Sequence, residues 1–118
     1  MYKVERAIIM AAGLGNRMKP VTLKTPKPLV RVNGVRMIDT VIDGLHKNGI
    51  TEIYVVIGYL KEQFRTLEGE YPGLKLIDNP WYDTCNNIAS LYVAREHLEN
   101  AIILDGDQTV SYTHLRAH

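Results

Sequence analysis

Four short apolar runs recur along the 118-residue chain and constrain its fold more than any other feature. The first run is continuous and apolar, which is typical of a strand that is buried on both faces of a parallel sheet, and the second is β-branched and aromatic, which also suits a buried strand. The third, which contains Lys75, and the fourth are read as strands as well. The runs are Ala7 to Ala12, Ile53 to Ile57, Leu74 to Ile77 and Ala101 to Leu104. The sequence therefore predicts a sheet that is covered on both sides.

Helical patterns separate these runs. The clearest begins at Met37 and places apolar residues at i, i+3, i+4 and i+7 before Asn48 and Gly49 signal its end. We expect a short helix from about Lys61 to Leu67. A third helix is expected to have an apolar face of Ile88, Leu91, Tyr92 and Leu98. Because alternating strands and helices form parallel sheets with right-handed crossovers, we predict the α/β class, as a Rossmann-like three-layer α/β/α sandwich with a mostly parallel sheet.

Sheets of this kind bind ligands at the carboxyl ends of their strands, and the first run ends in a glycine-rich segment. The segment reads Gly13-Leu14-Gly15-Asn16-Arg17. Two glycines let the backbone turn tightly and expose consecutive N–H groups, which suit phosphate oxygens, although the same pair also suits a simple strand-to-loop turn. A dinucleotide fingerprint needs a third glycine where Met18 stands, and a Walker A loop needs Gly-Lys-Ser/Thr, which is absent. A different phosphate-binding loop is therefore predicted.

The charge distribution favours an anion at this segment. No acidic residue occurs between Glu5 and Asp39, whereas Arg17, Lys27 and five other basic residues supply half of the fourteen Lys and Arg side chains. The net charge of the whole chain is only +1, which argues against a partner that is a nucleic acid or a membrane surface. The excess positive charge is therefore local, and it indicates a small anionic ligand.

Two carboxylates follow the last apolar run, in Asp105-Gly106-Asp107. Residues i and i+2 of an extended chain point the same way, so these carboxylates could converge. Mg²⁺ is typically held by one or two carboxylates together with substrate phosphates. An ordinary Asp-Gly turn is the alternative, and the position opposite the glycine segment favours the metal site.

The motifs together resemble a known family, the nucleoside-triphosphate transferases that join a nucleotide to a phosphorylated acceptor and release pyrophosphate. Its signature, Ala-Ala-Gly-x-Gly-Ser/Thr-Arg followed by Pro-Lys-x-Leu, matches residues 11–17 and 26–29, with Asn16 in place of the commoner Ser or Thr. Three further strings, at residues 30–33, 58–64 and 86–92, are similar to bacterial choline-phosphate cytidylyltransferases. The likeness covers about residues 6 to 108.

The resemblance implies a role for each matching residue. Nucleotide binding falls to Ala12, Gly13, Leu14, Gly15, Asn16, Arg17, Lys27, Asn87 and Ser90, with the last two near the base and ribose. Arg17 and Lys27 are the implied catalytic residues, because they would neutralise charge on the α-phosphate and on the departing pyrophosphate. Asp107 is the implied Mg²⁺ ligand, with Asp105 in support. Asn87 and Ser90 also open a predicted helix, where Asn and Ser are favoured simply as caps.

We therefore expect a Mg²⁺-dependent transfer of CMP from CTP to a small phosphorylated acceptor, with choline phosphate as the first candidate. A sugar 1-phosphate or aminoalkylphosphonate nucleotidyltransferase is an alternative, and so is a non-catalytic nucleotide-binding regulatory subunit. The single cysteine, Cys85, and the lack of a targeting or membrane segment favour the cytoplasm. The oligomeric state is left open.

The ends of the chain carry two further expectations. Family members are about twice this length, so residues 1–108 are expected to be the amino-terminal part of the transferase domain, without the acceptor pocket and a further metal-binding acid. The resemblance stops after Gln108, and residues 109–118 are predicted to be a non-native tail.

Overall fold

The structure is a computed structural model that describes residues 4–13, 24–82 and 86–106, with the backbone alone for residues 86–88. In chain order the strands are β1 (Arg6–Ala11), β2 (Arg31–Val32), β3 (Val35–Arg36), β4 (Glu52–Ile57), β5 (Leu74–Asp78) and β6 (Ala101–Asp105). The α-helices are α1 (Met37–Lys47), α2 (Leu67–Glu70) and α3 (Asn86–Val93). Short 3₁₀ helices occur at Lys27–Leu29, Lys61–Phe64 and Arg95–His97.

Four parallel strands form the main sheet in the order β5-β4-β1-β6. Their carboxyl ends are aligned, because Ala11 lies opposite Ile57, Ile57 lies opposite Asp78, and Met10 lies opposite Asp105. The predicted strands are confirmed with shifts of one residue at some ends. The residues that follow the strands therefore meet along one edge of the sheet.

The sheet is covered on both faces, which confirms the three-layer α/β architecture. On one face the fully buried side chains of Val41, Ile42 and Leu45 from α1 pack against the sheet in one continuous core. On the other face Ile8, Met10 and Val56 form a second core with Ala94, and residues of α3 pack against it. The helix predicted from Met37 onward is thus confirmed, and its regularly spaced apolar residues form the face that packs against the sheet.

Two predicted helices differ from those observed. The helix expected from Lys61 to Leu67 is interrupted, because the chain forms a 3₁₀ helix to Phe64 and begins α2 only at Leu67. The third helix ends at Val93, and 3₁₀ winding changes the period before Leu98. The expected apolar face was therefore wrong in part, since Tyr92 is 56% exposed and Leu98 is 38% exposed.

The hairpin of β2 and β3 was not predicted. Its turn has positive φ at both central residues, 54° at Asn33 and 82° at Gly34. Asn-Gly is the pair that a tight hairpin turn of this kind favours, because both residues tolerate left-handed backbone conformations. The Asn-Gly pair was the available signal, but the strands it joins have only two residues each, too few for an alternation pattern to mark them.

A charged cluster fixes the base of this hairpin. The Arg36 guanidinium donates two hydrogen bonds of 2.8 Å to the Asp39 carboxylate and one of 2.9 Å to Glu70, and the Tyr71 hydroxyl donates to Asp39. Burial by itself raises the pKa of Asp39, but the hydrogen bonds from Arg36 and Tyr71 outweigh it and lower that pKa. Burial and the bond to Asp39 raise the pKa of Tyr71 to about 12. The cluster joins α1 to the segment around the end of α2.

Candidate functional site

Backbone hydrogen bonds tie together the segments that leave the strands. The Tyr59 N–H donates to the Ala12 carbonyl at 3.2 Å, just beyond the ends of β4 and β1. On the other side, the Gly106 N–H donates to the Met10 carbonyl at 3.2 Å. Ala12 is buried and Gly13 is exposed. The glycine segment therefore begins between the ends of β4 and β6, on the carboxyl edge of the sheet.

The turn that carries Lys27 is held rigidly at the same edge. Lys27 is half-buried and begins a 3₁₀ helix, in which Pro28 and Leu29 are buried. The Leu29 N–H donates to the Pro26 carbonyl at 2.9 Å, and the Val30 N–H donates to the Lys27 carbonyl at 3.0 Å. Because Leu29 is part of the core beneath the sheet edge, core packing fixes the backbone at Lys27.

A close contact joins the Lys27 turn to the end of β6. A Cβ atom placed on Gly106 would lie 2.7 Å from Cγ and 2.8 Å from Cβ of Pro28, far inside the ordinary contact distance. Only glycine permits this approach without displacement. Asp105, immediately before Gly106, is exposed at the strand end. The structure therefore brings together two of the predicted elements, the Lys27 turn and the start of the acidic pair.

A second glycine contact shapes the neighbouring part of the edge. A Cβ atom on Gly58 would lie 2.5 Å from the Cβ of Tyr82. The Tyr82 side chain packs against the second core, which includes Met10 and Ala12, and its ring centroid lies 6.4 Å from that of Tyr59 at an angle of 50°. The backbone at Gly58 thus leaves room for an aromatic side chain beside the start of the glycine segment.

Charged side chains from the segment after β4 line the outer end of this edge. Asp78, the last residue of β5, lies 3.5 Å from the Lys61 ammonium and 3.7 Å from the Arg65 guanidinium. The Gln63 side-chain amide donates to the Lys24 carbonyl at 2.7 Å and so attaches the chain ahead of Lys27 to this segment. The ion pairs are exposed, so they are worth little in stability. They do balance the negative charge of Asp78 near a predicted anion site.

Of the two predicted site residues in α3, Asn87 and Ser90, Ser90 makes a buried hydrogen bond. Ser90 is 3% exposed in α3, and its hydroxyl accepts a hydrogen bond of 2.9 Å from the side-chain amide of Asn79. Asn87 lies in the first turn of the same helix. Asn79 was not among the predicted site residues; its place directly after a strand end, before Pro80, was the signal that could have found it.

The remaining predicted site residues are placed as follows. Leu14, Gly15, Asn16, Arg17 and Asp107 lie outside the described residues, and so does the predicted tail of residues 109–118. Within the ranges 4–13, 24–82 and 86–106, no three His, Cys, Asp or Glu side chains are grouped in a way that could hold a metal ion. None of the helices in these ranges combines the length and the apolar character that are needed to cross a membrane. The roles of individual site residues stay predictions.

Comparison with known proteins decides the family. The sequence profile of a family described as MobA-like NTP transferase domain matches residues 7–117. The chain belongs to this family. The match to an NTP transferase profile confirms the family suggested by the glycine and Pro-Lys motifs.

Two relatives of this NTP transferase chain are cytidylyltransferases. It is 51% identical over 111 residues to the 2-aminoethylphosphonate cytidylyltransferase of Lancefieldella rimae, covering 92% of this chain and 45% of that protein. It superposes on the CTP:phosphocholine cytidylyltransferase of Streptococcus pneumoniae with a TM-score of 0.82 and 46% identity, over 86% of this chain and 44% of the other. The chain thus spans less than half the length of these two relatives.

A more distantly related structure supports the fold of this NTP transferase chain, and only its fold. A nucleotidyl transferase from Methanothermobacter superposes with a TM-score of 0.76 at 24% identity, over 97% of this chain and 56% of that one. The Rossmann-like fold expected from the alternating strands and helices is therefore confirmed.

Proposed function

We propose that the protein to which this chain belongs transfers CMP from CTP to a small phosphorylated acceptor and releases pyrophosphate. The observation that carries the proposal is the similarity, at 51% and 46% identity, to two cytidylyltransferases whose names agree on cytidine and differ in the acceptor. The contact of Gly106 with Pro28 supports it, because the Lys27 turn packs against the end of β6, where the predicted acidic pair of Asp105 and Asp107 begins. A triphosphate with its metal ion needs cationic and carboxylate groups at one place.

The acceptor that we propose carries both a phosphorus-centred anion and a cationic nitrogen on a short carbon chain. Choline phosphate is the first candidate, because the strings at residues 30–33, 58–64 and 86–92 resemble the enzymes that use it. 2-Aminoethylphosphonate is the second candidate, because the relative that is 51% identical is named for it. The two molecules share their charge pattern and differ in the methyl groups on nitrogen and in the bridging oxygen.

In the proposed reaction an oxygen of the acceptor's phosphate or phosphonate attacks the α-phosphorus of CTP in line. The bond from the α-phosphorus to the bridging oxygen breaks, and pyrophosphate departs with the electron pair. No protein nucleophile is needed, so the protein acts by positioning and by charge stabilisation. We propose that the backbone of residues 12–16 holds the triphosphate, and that Arg17 and Lys27 stabilise the charge that grows on the leaving group.

A magnesium ion belongs to the same proposal. Asp107 would hold it with support from Asp105, an acidic residue at the carboxyl end of β6, which is the edge where ligands bind in sheets of this kind. Bound there, Mg²⁺ would neutralise part of the triphosphate charge. The single cysteine, which is typical of a chain from a reducing compartment, supports a cytoplasmic location.

The test is pyrophosphate release by the full-length protein, with each nucleoside triphosphate crossed against choline phosphate, 2-aminoethylphosphonate, ethanolamine phosphate and glucose 1-phosphate, with and without Mg²⁺. We expect turnover with CTP and one of the first two acceptors, only when Mg²⁺ is present. Lys27→Ala should lower kcat/KM by about 100-fold or more, as loss of a charge-stabilising donor does.

Lys47→Ala is the matched control, because Lys47 is an exposed lysine at the far end of α1, paired with Asp43. It should leave the rate unchanged. Turnover confined to another nucleotide would contradict the proposal. Binding of CTP without turnover of any acceptor would favour the regulatory-subunit alternative.

A further inference from the structure

Asn79 and Ser90 are the two buried polar side chains in the part of the chain that the structure describes, and they bind each other. Asn79 is 1% exposed and Ser90 is 3% exposed. A polar group that is removed from water costs free energy unless it finds a hydrogen-bond partner. An apolar pair of similar size would pack here without that requirement, so the choice of two polar residues calls for a reason.

The orientation of the Asn79 amide is determined by its partners. The backbone N–H of Trp81 donates to Oδ1 of Asn79 at 3.0 Å, and an N–H group can only donate. The other end of the amide, Nδ2, is therefore the donor to the Ser90 hydroxyl at 2.9 Å. The side chain holds one defined rotamer because both ends are engaged.

Asn79 connects three parts of the edge of the sheet. Its backbone N–H donates to the Ile57 carbonyl at 2.8 Å, at the end of β4. Its side chain holds the turn at Trp81 and, through Ser90, the helix α3. Ile57 lies opposite Ala11 of β1, which leads into the glycine segment. A short chain of contacts thus links Ser90 of α3 to β1, the strand that leads into the proposed triphosphate loop.

We propose that Asn79 is a positioning residue for nucleotide binding: it holds Ser90, and with it the first turns of α3, in register with the carboxyl ends of β4 and β1. The inference rests on the proposed cytidylyltransferase function, in which Asn87 and Ser90 lie near the base and ribose. Asn79 is buried at this edge and acts through Ser90 and the helix, without touching the nucleotide.

The test compares full-length Asn79→Ala, Ser90→Ala and the double variant. Each single variant should raise the KM for CTP about tenfold, the factor that corresponds to the loss of one buried hydrogen bond, and should leave the KM for the acceptor unchanged. Backbone amides of residues 86–90 should exchange hydrogen faster in Asn79→Ala. An unchanged KM for CTP in the single variants would overturn the inference.

The double variant separates positioning from simple stability. It removes both members of the buried Asn79–Ser90 hydrogen bond, so neither of these two side chains is left without its partner, and the Trp81 N–H loses its acceptor only as it does in Asn79→Ala. Its melting temperature should therefore lie closer to the wild-type value than the two single variants predict together. Its KM for CTP should stay raised, because the link between β4 and α3 is missing. Recovery of the melting temperature and the KM together would show a merely structural role and overturn the inference.

Asn48→Ala is the matched control. Asn48 also donates a side-chain amide hydrogen bond, of 2.8 Å to the Gly44 carbonyl, but it lies after α1 at the opposite edge of the sheet. This variant should lower the melting temperature without changing the KM for CTP. If the wild-type protein does not turn over CTP, the proposed function fails and this inference fails with it; if it does and Asn79→Ala has a normal KM, only the inference fails.

Discussion

Replacing Gly106 by alanine should damage the site more than the fold. The new Cβ atom would lie 2.7 Å and 2.8 Å from two carbons of Pro28, and 3.6 Å from the Cβ of Ala11. Carbon atoms in contact normally lie about 3.5 Å or more apart, so the end of β6 and the Lys27 turn must separate by roughly 0.8 Å. Overpacking of this kind costs about 1–3 kcal/mol. A displacement near 1 Å at reacting groups costs about 100-fold in rate.

The assay pairs thermal denaturation with initial rates of pyrophosphate release by the full-length protein. We expect Gly106→Ala to lose about 100-fold in kcat/KM while it still folds. Gly69→Ala is the control, because it makes the same chemical change in α2 where a Cβ atom meets nothing within 4 Å. Wild-type kcat/KM in Gly106→Ala would refute the argument that this contact sets the distance between the Lys27 turn and the acidic pair.

Three further predictions concern stability. Gly58→Ala should lower the free energy of unfolding in urea by about 1–3 kcal/mol, because its Cβ atom would lie 2.5 Å from the Cβ of Tyr82, and an unchanged midpoint would contradict the contact. Burial by itself raises the pKa of Asp39, but hydrogen bonds from Arg36 and Tyr71 lower it below its ordinary value. The ionised Asp39 therefore stabilises the folded state fully above its unfolded-state pKa of about 4, and this contribution is lost as the pH falls through the lower folded-state pKa. Asp39→Asn should therefore unfold with a weaker pH dependence below about pH 4 than the wild type, and an equally steep dependence would refute this account. The isolated 118-residue chain should melt broadly, because β6 lies at an edge of the described sheet with Ile103 46% exposed, whereas a sharp two-state transition would show that it folds independently.

Local patterns were sufficient for the main elements of the fold. The run from Ala7 predicts a central strand because a short continuous apolar run that ends at a glycine is typical of a strand covered on both faces, and β1 is buried along nearly all its length. The period of 3.6 residues from Met37 predicts α1 because one helix face must meet the sheet. Where the period fails, as at Leu98, the helix has ended and the chain is turning back towards β6.

The site depends on contacts between residues that are far apart in the sequence. The sequence alone shows the glycine segment, Lys27 between two prolines, and the Asp105-Gly106 pair. These can be recognised without a structure because a tight turn favours glycine or proline, and a charged ligand favours residues of opposite charge. Only the tertiary structure shows that Gly106 packs on Pro28. It also shows that Asn79 binds Ser90, a contact for which the residue type alone gives no partner. The physical reason is that periodicity and turn chemistry act over a few residues, whereas the approach of two segments is decided by how the whole core packs.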